Sequence, residues 1–454
     1  MKRKLLVIIS LILATLFVFG ACVKLPGAGN TSDDGTTDAG TTDTQRPDMG
    51  TTGTTEPIEE PALLLNNVDI AKYTLIYDGA TVTGSTYARN YFNSTLKELC
   101  GVELEKSKTA VDGYNIFIGA MGEDSAVNAF FDTCEDGMLG YDGKNVYLLA
   151  QDNSQLYDVV DAFFAKVSDG AVNITQNEKV AAPGDAIKVM SYNVLYDKFY
   201  DEEQTLPRDI NKLAEFIAAE APDVFGTQET QSFHKTAILE AMPNYECYEG
   251  IKLKGGANMQ NMIFWNADKF TLVSKGFRYL TSTPLVESKI AESNSYRGYS
   301  FVILESKTTH KQFMFIDVHL TYRDKDGNTN NDVPRYKQAQ YLCKFMEGAK
   351  YETIPMILVG DFNSIPGSDT IKLVDNVKRL DLASKVAETK GDTSGTCNGT
   401  NGTKRLNYAF DHIFVTSDRI TTKYFTTLND ESKNPDTGRY LSDHMPVIAE
   451  IVIY

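Results

Sequence analysis

The chain has 454 residues, 42% of them hydrophobic, so it can bury a sizeable core and form about two or three domains. Its formal net charge of −17 excludes a protein that holds nucleic acid non-specifically over its whole surface. It has only five histidines, and three of them lie in motifs near strand ends: His319, His412 and His444.

Residues 1–22 predict a secretory signal peptide. A basic start (Lys2, Arg3 and Lys4) precedes an apolar run at 5–19 and then Gly20-Ala21-Cys22, the order that such signals share. The cysteine here resembles the lipobox of bacterial lipoproteins, which implies cleavage before Cys22 and lipid attachment to its sulfur. The alternative is an uncleaved membrane anchor, for which the apolar run is short.

Residues 23–61 and 62–182 predict a tether followed by a small domain. The first stretch is mostly Gly, Thr, Asp, Pro and Asn, which favours a disordered tether. In the second, apolar patterning predicts strands at 73–77 and 114–119, helices at 85–99 and 155–167, and a hairpin at 137–150 that turns at Asp142-Gly143. This α/β order resembles the accessory domain that precedes the barrel in some secreted glycoside hydrolases. We interpret it as a spacer, or alternatively as a carbohydrate- or envelope-binding domain.

Residues 186–454 predict a second, larger α/β domain in which strands and helices alternate. Helices are predicted at 208–219 and 334–347. Strands are predicted at 187–194, 223–229, 257–265, 301–304, 313–320, 354–359, 408–415 and 446–452.

Polar side chains recur where these predicted strands end. Asp361 and Asn363 follow the apolar run at 354–359, and Asp443 and His444 precede the last strand. Carboxylates suit a hard cation such as Mg²⁺, and histidine suits a phosphate oxygen or a proton transfer. Together they indicate metal-assisted cleavage of a phosphate ester. Four further strand ends carry Asn193, Glu229, His319 and Asp411.

The strings around these residues resemble the endonuclease/exonuclease/phosphatase superfamily, and they occur in the order of that family. They are Ser191-Tyr192-Asn193, Gln228-Glu229, Val318-His319-Leu320, Gly360-Asp361-Phe362-Asn363, Asp411-His412-Ile413-Phe414 and Ser442-Asp443-His444. The superfamily includes DNase I-like nucleases, inositol polyphosphate phosphatases and neutral sphingomyelinases. The resemblance implies an α/β fold, a four-layer αββα sandwich, with its site at one end.

The resemblance also implies a role for each residue. Glu229 matches the main ligand of one Mg²⁺ or Mn²⁺, and Asn193 and Asp443 lie beside that metal. Asp361 orients or deprotonates the attacking water. Phosphate contacts fall to Asn363, His319, His444 and Arg297, and Asp411 pairs with His444.

Three positions depart from the family pattern or carry no motif. Leu195 stands where some members have an aspartate, which weakens any second metal. His412 replaces an aromatic residue and is expected to be a partly buried core side chain. Asp317 is expected on a solvated strand face.

The substrate stays open at this stage. Residues 185–454 carry 31 Lys and Arg against 36 Asp and Glu, a net charge of −5, whereas a duplex-binding nuclease would favour a basic face. A phospholipid head group, nucleic acid or a phosphorylated small molecule all fit a lipid-anchored, extracytoplasmic phosphoesterase. The alternatives are a nuclease for extracellular DNA or RNA and a non-catalytic envelope-binding lipoprotein. No protein partner is inferred.

Overall fold

The computed structural model describes most of the chain after residue 62. The described residues are 63–76, 84–120, 127, 137–151, 153–175, 177–180, 184–196, 208–254, 259–348, 351, 353–377, 379–398 and 404–454. The predicted signal peptide with Cys22 and the predicted tether at 23–61 lie outside them. None of the helices in these ranges is long and apolar enough to cross a membrane.

The described elements are named in chain order. The α-helices are α1 (Gly84–Cys100), α2 (Leu156–Ala165), α3 (Ile210–Glu220), α4 (Ser232–Ala241), α5 (Val333–Met346), α6 (Asp369–Asp375) and α7 (Ala383–Val386). The strands are β1 (Leu64–Leu65), β2 (Val68–Asp69), β3 (Tyr73–Ile76), β4 (Lys106–Ser107), β5 (Tyr114–Ala120), β6 (Gly137–Tyr141), β7 (Val146–Ala150), β8 (Ala171–Val172), β9 (Asn177–Val180), β10 (Asp185–Asn193), β11 (Val224–Thr230), β12 (Tyr245–Tyr248), β13 (Gln260–Asn266), β14 (Phe270–Tyr279), β15 (Gly298–Ser306), β16 (Gln312–His319), β17 (Met356–Asp361), β18 (Leu380–Leu382), β19 (Thr389–Lys390), β20 (Asp411–Thr416), β21 (Ile420–Thr427) and β22 (Val447–Ile453).

The strands before residue 181 form two sheets of their own. One has the order β4-β3-β5-β7-β6-β9, with α1 and α2 packed on it, and the other is the small sheet β2-β1-β8. The predicted hairpin is confirmed: Asp142 accepts hydrogen bonds from the backbone N–H groups of Lys144 and Asn145, and Gly143 has a φ of 96°. A positive φ suits glycine because it has no Cβ.

Polar and aromatic contacts join these first sheets to the rest of the chain. The hydroxyl of Tyr157 on α2 donates to Oδ2 of Asp418 at 2.8 Å, and Nε of Arg379 donates to the same oxygen at 3.0 Å. The Arg419 guanidinium lies 4.3 Å from the centre of the Tyr157 ring. Residues 60–454 form one compact unit, so the domain boundary between 182 and 186 stays a prediction.

Asp418→Ala is expected to lower the free energy of unfolding by about 3–5 kcal/mol, because it leaves the buried Arg379 guanidinium without its carboxylate. Urea denaturation measures the change. Asp430→Ala is the matched control, since its partner Lys433 pairs with it at the surface and little change is expected. A loss at Asp418 no larger than that of the control would contradict the prediction.

Two large sheets built after residue 184 face each other. Their orders are β12-β13-β11-β10-β22-β21-β19 and β14-β15-β16-β17-β20-β18. Apolar side chains from both, such as Val189, Val359 and Ala449, form the core between them. Helices α3 and α4 pack on the outer face of the first sheet, and α5 and α6 on that of the second. The protein is therefore a mixed α/β protein with several sheets.

The space between these sheets changes from apolar to polar along the strands. On β16 the inward residues run from Phe313 and Phe315 to Asp317 and His319, since alternate side chains of a strand share a face. The same change ends β17 at Asp361. We call this the polar end of the sheets, defined by Asn193, His319, Asp361 and Asp411.

Most predicted elements are present within a few residues of their expected bounds. The pattern missed β12, β14, β21, α4 and α6, together with the short elements β1, β2, β4, β8, β9, β18, β19 and α7. Along β14 the exposed residues run together rather than alternate. In α4 only His234 and Ile238 are buried. Short or irregular segments of this kind have too little hydrophobic periodicity to predict a helix or strand.

Candidate functional site

Three predicted residues lie side by side across neighbouring strands at the polar end. His319 on β16 is the register partner of Asp361 on β17, and Asp361 is the register partner of Asp411 on β20. All three are buried. Their apolar runs set the register, and so the sheet itself brings them together.

Gly360 allows β16 and β17 to approach at this point. Its φ is 151°, and a Cβ built there would lie 1.9 Å from the carbonyl oxygen of Val318. No side chain fits at that distance. Glycine is therefore required directly before Asp361.

Gly360→Ala is expected to lower the free energy of unfolding by about 3 kcal/mol or more, because its methyl group would overlap the backbone of β16. Gly367→Ala is the matched control: Gly367 also has a positive φ, 86°, but a Cβ there would meet nothing within 4 Å. Thermal or urea unfolding compares the two. Equal losses of unfolding free energy in the two variants would show that the positive φ, and not the close contact with Val318, causes the loss.

The Asp361 carboxylate is the centre of the contacts. Its Oδ2 accepts a hydrogen bond from Nδ2 of Asn193 at 3.0 Å, and its Oδ1 accepts one from the N–H of Asn363 at 2.8 Å. Nε2 of His319 lies 3.4 Å and Nε2 of His444 3.7 Å from Oδ2. Burial raises the pKa of Asp361 to about 6, with Asp411 adding to the rise and His444 opposing it. Such a carboxyl can take up a proton near neutral pH.

His444 is held by Asp411. Nδ1 of His444 donates to Oδ2 of Asp411 at 2.7 Å, and the Thr396 hydroxyl donates to the same oxygen at 2.6 Å. Burial alone would lower the pKa of His444, but the negative charges of Asp411 and Asp361 outweigh it and raise that pKa well above its usual value. His444 is therefore a cation at neutral pH, and its Nε2–H faces Asp361.

His319 differs from His444 because it is neutral. The Asn363 amide nitrogen donates to the carbonyl oxygen of Leu320 at 3.1 Å and lies 3.2 Å from Nε2 of His319. Nε2 of His319 also lies 3.4 Å from the Asp361 carboxylate, which can only accept, so its role as donor or acceptor follows from the tautomer of the ring. Burial lowers the pKa of His319 well below its usual value, and the positive charge of Arg297 acts in the same direction.

Glu229 lies in a β-bulge of β11. Regular pairing with β13 stops at Thr227 and resumes at Thr230, and Glu229 has a φ of 59°. A left-handed conformation costs a residue with a Cβ roughly 1–3 kcal/mol, and such strain clusters at functional sites. Burial and then the charge of Asp443 raise the pKa of Glu229 to about 7, while Arg297 opposes the rise.

Ser442, which precedes β22, forms a hydrogen bond with the end of β10. Its hydroxyl donates to the carbonyl oxygen of Asn193 at 2.6 Å, and its own carbonyl accepts from Nδ2 of Asn398 at 2.9 Å. Asp443 follows directly and is half-buried. Arg297 lies under the same region, with Nε donating to the carbonyl of Leu320 at 3.3 Å.

A buried acidic and histidine cluster of this kind can hold a metal ion. Asp361, Asp411 and His444 each offer one ligand atom, and the three atoms lie within 4.8 Å of one another. Asp411 already accepts two hydrogen bonds through Oδ2, however, and Nδ1 of His444 is one of the donors.

Residues 190–444 match the model of the endonuclease/exonuclease/phosphatase family. The chain belongs to this family. Family membership implies a phosphoester substrate and hydrolysis of a phosphoester bond. No curated protein matches the chain.

Several solved structures share the fold of the matched region. A family protein from Bacteroides thetaiotaomicron is 24% identical, with a TM-score of 0.52 over 60% of this chain and 99% of its own. A mannosyl-6-phosphatase from the same species is 24% identical, with a TM-score of 0.51 over 59% of this chain and 100% of its own. A conserved protein of unknown function from Enterococcus faecalis is 22% identical, with a TM-score of 0.51 over 59% of this chain and 100% of its own.

The structure brings the predicted residues of the family motifs to one place. Direct contacts join Asn193, His319, Asp361, Asn363, Asp411 and His444. Electrostatic influence links Glu229, Asp443 and Arg297 to the same group. The individual chemical roles of these residues stay predictions.

Sequence reasoning missed the supports around the site. Thr396 and Asn398 lie in an irregular segment without a strand or helix pattern, so nothing marked them. Ser442 stood inside the Ser-Asp-His string, which could have pointed to it.

The prediction for Asp317 was wrong, and that for His412 holds. Asp317 is fully buried between the sheets rather than on a solvated face. It points inward with His319, and its carboxyl accepts a hydrogen bond from Gln228. His412 is a buried core residue that packs on Phe362, and its Nε2 lies 2.9 Å from the carbonyl of Ser364. Leu195 is buried and offers no ligand atom.

Proposed function

We propose that this protein is a divalent-metal-dependent phosphoesterase that hydrolyses a phosphodiester or phosphomonoester by attack of an activated water. Its catalytic domain, at 186–454, is a four-layer αββα sandwich of the DNase I type. The buried contact of Asp361 with Asn193, with the neutral His319 and the charged His444 beside it, carries this proposal.

In the proposed reaction Asp361 accepts a proton from the attacking water while the water oxygen bonds to phosphorus. The P–O bond to the alcohol breaks, and the alkoxide that leaves takes up a proton from solvent water. The Asp361 pKa of about 6 suits proton uptake near neutral pH. The charged His444 and Arg297 stabilise the negative charge that develops on the phosphate, and His319 and Asn363 position its oxygens. Asp411 keeps His444 protonated and oriented.

We propose Glu229, Asn193 and Asp443 as the residues that hold Mg²⁺ or Mn²⁺. Hard cations of this kind prefer carboxylate and amide oxygens. The raised pKa of Glu229 beside Asp443 fits a pair of acidic groups that a cation would relieve. When bound, the cation polarises the phosphate and neutralises charge on it. Asp361 is kept as the proton acceptor, His444 as the charge stabiliser and Asp411 as its support, because the hydrogen bond between Asp411 and His444 occupies one ligand atom of each.

Surface charge favours a small phosphoester over duplex DNA or RNA. Nine basic residues could have made a basic face: Lys252, Lys254, Lys269, Lys275, Arg278, Arg323, Lys325, Arg335 and Lys337. Five of them lie within 4 Å of a carboxylate, among them Lys269 at 2.6 Å from Asp223 and Lys337 at 2.5 Å from Glu292. Such pairing weakens attraction for a phosphate backbone.

We place the protein outside the cytoplasm, anchored to the membrane by lipid on Cys22. The signal and lipobox pattern of residues 1–22 supports this location. A phosphorylated sugar is one substrate to test first, because a family relative carries the name mannosyl-6-phosphatase. Phospholipid head groups remain the second small-ester class.

The test is hydrolysis by the purified protein with Mg²⁺ or Mn²⁺ and with EDTA. The panel holds mannose 6-phosphate, inositol phosphates, sphingomyelin, bis-p-nitrophenyl phosphate, plasmid DNA and RNA. We expect metal-dependent cleavage of a small ester at a rate that changes little with salt. Salt-sensitive cleavage of DNA or RNA would favour the nuclease, and silence over the whole panel would favour the envelope-binding lipoprotein.

A further inference from the structure

Two fully buried polar side chains lie directly behind the candidate site. Asp317 on β16 and Gln228 on β11 meet in the space between the two large sheets. Nε2 of Gln228 donates to Oδ1 of Asp317 at 2.6 Å and to the Ser191 hydroxyl at 3.2 Å. The Gln228 side chain is thus held from both sheets at once.

The fold makes room for this contact. A Cβ built on Gly226 would lie 2.8 Å from Cγ of Asp317 and 2.7 Å from Cγ2 of Val359. Glycine at this position therefore lets β11 approach the Asp317 carboxyl. The close fit restricts where the Asp317 and Gln228 side chains can lie.

Gln228 is the residue directly before Glu229, at the start of the bulge. Its carbonyl accepts the N–H of Val194 at 3.1 Å, while its side chain reaches Asp317. The next residue, Glu229, adopts its left-handed φ of 59°. A strained conformation persists only where its neighbours fix it.

We propose that Asp317 is a positioning residue, which acts through Gln228 to hold the bulge that directs Glu229 toward the metal. This inference rests on the proposed function, since it takes Glu229 as a metal ligand. Asp317 itself touches neither metal nor substrate.

Asp317 acts through its shape and hydrogen bonding and not through charge. Burial raises the pKa of Asp317 well above its usual value, and the negative charge of Asp361 adds to the rise. Oδ2 of Asp317 and Oε1 of Gln228 have no hydrogen-bond partner in the structure. A neutral amide of the same shape can make the contact to Gln228 equally well.

The experiment compares Asp317→Asn with Asp317→Ala in the full chain. Mn²⁺ affinity is measured from the electron paramagnetic resonance signal of free Mn²⁺, and kcat is measured on bis-p-nitrophenyl phosphate. Asp317→Ala is expected to weaken Mn²⁺ binding by about 10–100-fold, and Asp317→Asn to leave it unchanged. Glu229→Gln, which removes a proposed metal ligand, is expected to give the largest loss of Mn²⁺ affinity.

Ser300→Ala is the matched control for a lost buried hydrogen bond. Ser300 is the register partner of Asp317 and fully buried, and its hydroxyl donates to the carbonyl of Asn261 rather than to Gln228. It is expected to keep Mn²⁺ affinity. If Asp317→Ala does not fold, Gln228→Met removes the same contact and carries the same expectation.

Two results would overturn the inference: a Mn²⁺ affinity of Asp317→Ala equal to that of Ser300→Ala, or an equal loss in Asp317→Asn and Asp317→Ala. Neither result contradicts the proposed function if the parent protein hydrolyses a phosphoester. Conversely, weakened Mn²⁺ binding in a protein that cleaves no phosphoester would leave the positioning role standing and reject the enzyme.

Discussion

Asp361→Asn is expected to lower kcat by about 10²–10⁴-fold on whichever phosphoester the protein cleaves. Asparagine keeps the size of the side chain but cannot accept a proton from water. The folded state holds the ionised carboxylate less favourably than the unfolded chain does, as its raised pKa of about 6 indicates. Removing that charge is therefore not expected to unfold the protein for electrostatic reasons. Initial rates with saturating substrate and Mg²⁺ give the answer.

The controls for Asp361→Asn separate a proton acceptor from a metal ligand. Mn²⁺ affinity should be retained in Asp361→Asn and fall in Glu229→Gln. A large loss of Mn²⁺ affinity in Asp361→Asn would instead favour a metal held by Asp361, Asp411 and His444. Asp369→Asn on α6, whose side chain is largely exposed, should behave as the parent protein does.

Sequence alone predicts which motif residues lie close together, because the sheets align them. Each follows or precedes an apolar run that can only be a buried strand, and such runs fix both register and direction. The apolar runs around Asp361 and Asp411 therefore place those two carboxylates side by side, as the pairing of β17 and β20 confirms. Strand ends are thus readable wherever hydrophobic patterning is strong.

What surrounds those residues is less readable, for two physical reasons. Thr396 reaches Asp411 from an irregular segment, and loops carry no period from which a contact could be inferred. The prediction for Asp317 was wrong because an acidic residue in a strand is usually solvated. Here the hydrogen bond from the facing Gln228 offsets the cost of burying the Asp317 carboxyl. Such a pairing depends on two strands from different sheets, which a single sequence does not align.

The positive φ of Glu229 illustrates the same limit. Nothing in Gln228-Glu229-Thr230 marks a bulge, and Asp317, which contacts Gln228, lies on a strand of the other sheet. The direction of the Glu229 carboxylate, the proposed metal ligand, is therefore a property of the packed sheets. The sequence motif predicts only the residue type at this position.

Asp411→Asn is expected to reduce kcat by about 10²-fold or more and to shift the alkaline limb of the pH–rate profile to lower pH. His444 donates only when protonated, so activity falls as pH rises through its raised pKa. Asp411 contributes most to raising that pKa. Without its charge the pKa of His444 falls, and the donor is lost at lower pH. The acidic limb, where Asp361 becomes protonated near pH 6, should also move to lower pH, because the charge of Asp411 adds to the raised pKa of Asp361.

Thr396→Val tests whether the charge of Asp411 or its exact placement sets this behaviour. The variant removes the hydroxyl that donates to Asp411 but leaves the carboxylate beside His444. Its alkaline limb should therefore stay close to that of the parent protein, even if kcat falls. An alkaline limb that moves equally in Thr396→Val and Asp411→Asn would mean that orientation, and not charge, governs His444. A limb that moves in neither variant would show that His444 is not the group whose deprotonation ends activity, and stabilisation of the charge on the phosphate would then rest on Arg297 or the bound cation.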